Sequence, residues 1–231
     1  MKTIRHHLEK LRKIRRSKHH PLIHHIHKKY KISKKTLFYV KEYGSHANVT
    51  RTILKESWKI LILSAIFSLL GGFAIENISV LLASVIPLVI MMPTLNDMIG
   101  DYGTIVSARF STMLHEGKVR KKWWQTNELR TLFSEIFIIA VFLAIVSAVL
   151  SIVISVMTGN PVSAAMAYKI IAIIFIDVSF LVILLFLAVI ILGSYFYKKH
   201  EDPNNFLIPI TTSIADVGNL IVLAILVLLF L

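Results

Sequence analysis

Five long apolar runs, separated by short polar stretches, limit what this chain can fold into. They extend from Trp58 to Ile75, Ile78 to about Leu95, Ile136 to Met157, Ile170 to Tyr197 and Phe206 to Leu231. A helix needs roughly 20 apolar residues to cross a bilayer core of about 30 Å. Backbone polar groups in lipid must be satisfied within the segment, so such runs are read as helices. The alternation of a transmembrane β-barrel is absent. A soluble bundle would need a polar face on each helix, and these runs have none. The sequence therefore predicts an all-α, polytopic membrane protein with five transmembrane helices. The first run follows a long basic stretch and has no small-residue cleavage site close behind it, so it is expected to be retained rather than removed as a signal peptide.

Charge divides the chain in two. Residues 1–56 hold 16 Lys/Arg against 3 Asp/Glu, whereas residues 57–231 hold 10 of each. The whole net charge of +13 thus sits in a basic, histidine-rich N-terminal segment (1–56), ahead of a neutral five-helix membrane domain (57–231). The positive-inside rule then orients the spans. The basic segment is expected in the cytoplasm. A tight first return near Glu76-Asn77 has no Lys or Arg and suits the outside. The next connection carries Arg109, Lys118, Arg120, Lys121, Lys122 and Arg130 and suits the inside. Thr158-Gly159-Asn160-Pro161 falls outside and Lys198-Lys199-His200 inside. The expected topology is N-in/C-out, in the plasma membrane.

Ionisable side chains inside a membrane mark function by default, because an unpartnered charge there is costly. The fifth run contains Thr211, Thr212, Ser213, Asp216 and Asn219. Asp216 lies 10 residues past Phe206, about 15 Å deep at the helical rise. Ser213, or Thr212, shares a helix face with Asp216 and Asn219 by i, i+3, i+4 spacing. That is an oxygen-rich stripe suited to a cation, with a polar helix–helix contact as the alternative. The end of the second run reads Pro87, Pro93, Asn96, Asp97, Gly100, Asp101, Gly103. It predicts a helix broken near the cytoplasmic side, lining a cavity, with Asp97 and Asp101 on one face. Its alternative is a solvated helix end followed by an interfacial helix. Asp177 in the fourth run is a further membrane carboxylate, expected in the pathway or paired with a polar group on another span.

All these donors are oxygens, the ligands of hard divalent cations. Mg²⁺ keeps much of its water and needs only one or two carboxylates. Mn²⁺, Co²⁺ and Ca²⁺ stay open as alternatives. One membrane-centre Asp per chain suits a site shared across a two-fold axis. Two carboxylates meeting there would repel, and a cation between them removes that repulsion. There is no cysteine, which excludes disulfides, thiolate zinc sites and a cysteine nucleophile.

These residues resemble a known family. Asp202-Pro203, Pro209 and Asp216 form a D-P-x5-P-x6-D pattern similar to the last transmembrane helix of MgtE-type magnesium transporters. Pro93-x6-Gly100-Asp101-x-Gly103 resembles that family's P-x6-G-N-x-G. Ser107-Ala108-Arg109-Phe110-Ser111-Thr112 with Gly117 is similar to a segment of its solute-carrier branch, found in eukaryotes and archaea. The resemblance covers roughly residues 57–231. It implies a divalent cation channel or transporter, with Mg²⁺ as the transported ion and no enzymatic activity. The pore would lie between two five-helix units, here in a homodimer. The resemblance makes Asp216 the pore aspartate, Asp202 an acidic residue at the cytoplasmic entrance and Glu135 the glutamate at the start of the third helix. Asp101 stands where the family has Asn and adds negative charge. Bacterial members gate through cytoplasmic domains ahead of the membrane part, where this chain has a short basic segment.

Seven histidines lie in the first 27 residues, among them His24, His25 and His27. Imidazoles so spaced suit borderline metals or pH sensing. The simpler expectation is a polybasic arm lying on anionic lipid. No nucleic-acid module is recognisable, so no specific nucleic acid is expected. Two other functions compete. An intramembrane aspartyl protease would pair Asp177 with Asp216, but no G-x-G-D motif surrounds either. A membrane-anchored module presenting a basic lipid- or nucleic-acid-binding arm would need no central carboxylate.

Overall fold

A computed structural model describes residues 21–30, 37, 49–119, 123–199 and 201–231. The start of the basic segment, including His6, His7, His19 and His20, lies outside the described residues, as do Arg120, Lys121, Lys122 and His200. The described elements are helical: α1 (Pro21–Tyr30), α2 (Val49–Ala83), α3 (Ile86–His115), α4 (Asn127–Met157), α5 (Ala164–Lys198) and α6 (Asn204–Phe230), with a short 3-10 turn, Trp123–Gln125, before α4. No strand occurs among them. Among the described residues α4, α5 and α6 are long and apolar enough to cross a membrane, and α2 contains a shorter apolar stretch, Ser57–Phe73.

Local chemistry sets the helix ends. Ser163 precedes α5 and its hydroxyl accepts from the Met166 amide at 3.2 Å, a side-chain N-cap. α3 and α4 both end on a left-handed glycine, Gly117 (φ 72°) and Gly159 (φ 86°). In each, the next amide reaches back to the carbonyl three residues inside the helix: Lys118 to Met113 and Asn160 to Ser155, both at 3.0 Å. A Cβ would be strained at that φ, which is why glycine closes these caps.

Two expectations need correction. The first return is not at Glu76-Asn77. α2 runs through both residues and the chain turns at Ser84-Val85. Glu76 is exposed, so the helix carries it without burying a charge. The turn falls where Pro87 occupies the first turn of α3, a place that needs no amide donor. Nor is the helix broken at the end of the second run: α3 is one helix of 30 residues that continues through Pro93, Gly100 and Gly103. Each glycine lowers helix propensity by only about 1 kcal/mol, and packing of the buried α3 stripe outweighs that.

α6 is the hub, packing against α2, α3 and α5, while α4 closes the far side against α3 and α5. α4 turns a stripe of small residues inward, with Ala140, Ala144 and Ala148 fully buried. Small side chains let helix backbones approach, the usual basis of association in lipid. Gly103 of α3 is another such close approach. A Cβ built there would lie 2.9 Å from Thr211 Cβ on α6 and 3.5 Å from Leu185 on α5. Three helices therefore meet at that level.

Candidate functional site

The site is built where α2, α3 and α6 converge. Asp216 lies 12 residues beyond Asn204, the first residue of α6, or about 18 Å along its axis. Its carboxylate is held from two other helices. Ser68 of α2 donates its hydroxyl to Oδ2 at 3.2 Å, and Asn96 of α3 donates its amide to Oδ1 at 3.4 Å. Asn219, one turn further along α6, donates in turn to Asn96 Oδ1. Asn219 is fully buried, and its own oxygen has no hydrogen-bond partner among the described residues. Asp216, Ser68 and Asn96 are all partly exposed. No Lys, Arg or His pairs with Asp216 among the described residues. The carboxylate thus has neutral donors and an open side, with no counter-ion among the described residues.

Pro209 explains how α6 reaches this position. Proline has no amide, so its place in a helix leaves the carbonyl four residues back without a partner. That carbonyl belongs to Asn205, and Ser57 of α2 donates to it at 3.2 Å. Ser64 donates to the Pro209 carbonyl at 3.1 Å. Ser57, Ser64 and Ser68, at spacings of seven and four, form one polar seam of α2 against α6 ending at the carboxylate. Sequence reading missed this seam. Its signal was there, since that spacing keeps serines on one face of an otherwise apolar helix.

The other expected site residues separate into groups. Asp97 and Asp101 are exposed, one turn apart on the outer face of α3, and neither pairs with another described side chain. Asp97 is the chain neighbour of Asn96, so this acidic stripe borders the Asp216 cluster. Thr212 donates to the Ile208 and Pro209 carbonyls, both at 3.0 Å, and does not reach Asp216. Ser213 lines an apolar groove of about 440 Å³ between α2 and α6, with Ser64, Phe67 and Val217. The expected single stripe on α6 therefore fans out over several neighbours.

Asp202 is buried at the turn between α5 and α6. It accepts from the Asn204 amide at 3.0 Å and the Ser111 hydroxyl at 3.4 Å, with His115 Nε2 at 3.9 Å. It ties the end of α3 to the start of α6. Glu135 is exposed on α4, and its side chain makes no hydrogen bond to another described residue. Asp177 is fully buried in the α5 core stripe, and neither carboxylate oxygen has a partner among the described residues. His25 is exposed and His27 partly so on α1, while the His24 side chain lies outside the described residues. No group of three or more His, Asp or Glu among the described residues is arranged to hold a metal ion.

The model of the MgtE family, described as a divalent cation transporter, matches residues 92–226, more than half of the chain. The chain belongs to the MgtE family. The match begins in α3 just before Pro93 and runs through Asp216 and Asn219 into the end of α6. It therefore contains three of the four polar side chains in the cluster, and Ser68 lies outside it. MgtE is a family of transporters rather than of enzymes. No curated protein and no solved structure matches the chain.

Proposed function

We propose that this MgtE-family protein carries Mg²⁺ across the plasma membrane through a pore formed between two copies. α2 to α6 are its five spans, with the basic segment in the cytoplasm and the end of α6 outside. The observation that carries the reading is Asp216: a carboxylate deep in an apolar helix, partly exposed, oriented by Ser68 and Asn96, and lacking a cationic partner. An anion so placed is stabilised by water or by a cation. Two copies related by a two-fold axis bring two such carboxylates together, and a hydrated dication between them offsets both the burial and the mutual repulsion.

Asp97 and Asp101 extend the negative surface along α3 and concentrate cations at the pore mouth. Asp202 and Glu135 mark the cytoplasmic end, Ser213 and Thr212 border the path, and Asn219 fixes the Asn96 amide. Mg²⁺ holds its inner waters tightly, so carboxylates and amide oxygens spaced for a hydrated ion favour it over Ca²⁺, which asks for six to eight direct ligands. The polybasic arm rests on anionic lipid. The similarity of Ser107–Thr112 to the solute-carrier segment supports a kinship with that branch.

Flux into proteoliposomes tests the reading across Mg²⁺, Mn²⁺, Co²⁺ and Ca²⁺, with and without a Na⁺ gradient. Mg²⁺ flux is expected to be lost in Asp216→Asn while the dimer still assembles. Normal flux in that variant refutes the assignment.

A further inference from the structure

α2 and α6 run side by side in the same direction, and their contacts keep one register. Ser57 meets Asn205 and Ser68 meets Asp216 at the same offset of 148 residues, with Ser64 against Pro209 between them. The two outer contacts are therefore equally spaced on both helices (57 to 68 and 205 to 216), about 16 Å along each axis. One turn beyond Ser68 the backbones approach closely. A Cβ built on Gly71 would lie 3.3 Å from Val217 Cα and 3.0 Å from Leu220 Cδ1. Ser68 is thus carried on a stretch of α2 that is hydrogen-bonded to α6 on one side and packed tightly against it on the other.

That stretch holds half of the Asp216 carboxylate. Oδ2 accepts from Ser68 on α2 at 3.2 Å, and Oδ1 accepts from Asn96 on α3 at 3.4 Å. An ionised carboxylate has about four acceptor sites, so each oxygen keeps room for a further donor or an ion. The outer torsion of an aspartate has a broad minimum and does not set the carboxylate plane by itself. One donor on each oxygen, from two different helices, does set it. Without the Ser68 hydroxyl the carboxylate would turn about its single remaining anchor on α3.

We propose that Ser68 is a positioning residue for the ion site and sets its preference for Mg²⁺ over Ca²⁺. This rests on the reading of Asp216 as that site. Mg²⁺ demands near-octahedral geometry, whereas Ca²⁺ accepts a variable number of oxygens at variable angles. A carboxylate of fixed plane favours the first ion, and one free to turn favours the second. Ser68 acts through Asp216. The family match begins at residue 92, so this control of the site comes from a helix outside the match.

The test uses the full chain in proteoliposomes. Mg²⁺ flux is measured against Mg²⁺ concentration, together with its inhibition by Ca²⁺. A hydrogen bond to a charged group is strong enough for its loss to raise the half-saturating Mg²⁺ concentration about ten-fold in Ser68→Ala. Inhibition by Ca²⁺ is expected to weaken much less, so the preference for Mg²⁺ falls. Ser68→Thr keeps the hydroxyl and is expected to keep the preference. Ser64→Ala removes a hydrogen bond of the same seam that ends on the Pro209 carbonyl, and it is expected to leave the preference as in the parent. An unchanged preference in Ser68→Ala overturns the proposal. So does an equal shift in Ser64→Ala, which would make the effect one of helix packing, or a Ser68→Thr that behaves as Ser68→Ala. Asp216→Asn measured alongside separates the two readings. Flux lost there with an unchanged Ser68→Ala sinks this inference alone, whereas normal flux in Asp216→Asn sinks the ion-site reading.

Discussion

Gly100 and Gly103 lie three residues apart on α3, both in regular helix, yet the same substitution should act oppositely at the two. An added Cβ at Gly100 meets nothing within 4 Å. Alanine there recovers helix propensity, about 1 kcal/mol in its favour. At Gly103 the Cβ falls 2.9 Å from Thr211 Cβ and 3.2 Å from its hydroxyl. Thr211 cannot yield easily. It is fully buried, and its hydroxyl donates to the Leu207 and Ile208 carbonyls and touches Ser107. Overpacking of this kind costs about 1–3 kcal/mol. After the propensity gain, Gly103→Ala should be destabilising by up to about 2 kcal/mol, and the two variants should differ by about 1–3 kcal/mol. Thermal unfolding of the purified protein at one scan rate measures the order. Gly100→Ala is expected at or above the parent, and Gly103→Ala several degrees below it. If Gly103→Ala matches or exceeds Gly100→Ala, the close approach of α3 to α6 is wrong, and with it the setting of Asn96 against Asp216.

Two further outcomes follow from named contacts. Ser57→Ala should lose about 1 kcal/mol, because it removes the hydrogen-bond donor that Ser57 gives the Asn205 carbonyl. In a Pro209→Ala background the restored amide supplies such a donor, and the Ser57 effect should vanish; equal effects in both backgrounds would contradict the coupling. Asp177→Asn should leave thermal stability equal or higher, since burying an amide costs less than burying an unpaired carboxylate. A fall of several degrees would reveal a partner for Asp177, because breaking a buried pair costs about 3–5 kcal/mol.

The long apolar helices were legible because lipid demands length and apolarity, and both are written one residue at a time. The first return was not, since Ile78 to Ala83 is as apolar as what precedes it. The polar pair at Glu76-Asn77 suggested a turn that the helix had no need to make. Pro87 was the better signal, read against the preference of proline for a first helical turn. Asp216 was legible as a lone carboxylate in an apolar run. Its neighbours were harder to see: Ser68 and Asn96 lie about 148 and 120 residues away in sequence, and only the packing of α2 and α3 onto α6 brings them together. Ser213, Asp216 and Asn219 were expected on one face, but a helix that is a hub divides such a face among several partners.

The central claim is that two Asp216 carboxylates share one ion. The chain contains no cysteine, so Asp216→Cys places a single thiol in each copy. Thiolates select soft cations, and Cd²⁺ bound to them gives a charge-transfer absorption. Titration with Cd²⁺ is expected to saturate at one ion per two chains, and at none in Asp216→Ala. Saturation at one ion per chain, or no thiolate–Cd²⁺ band at all, would contradict a shared site.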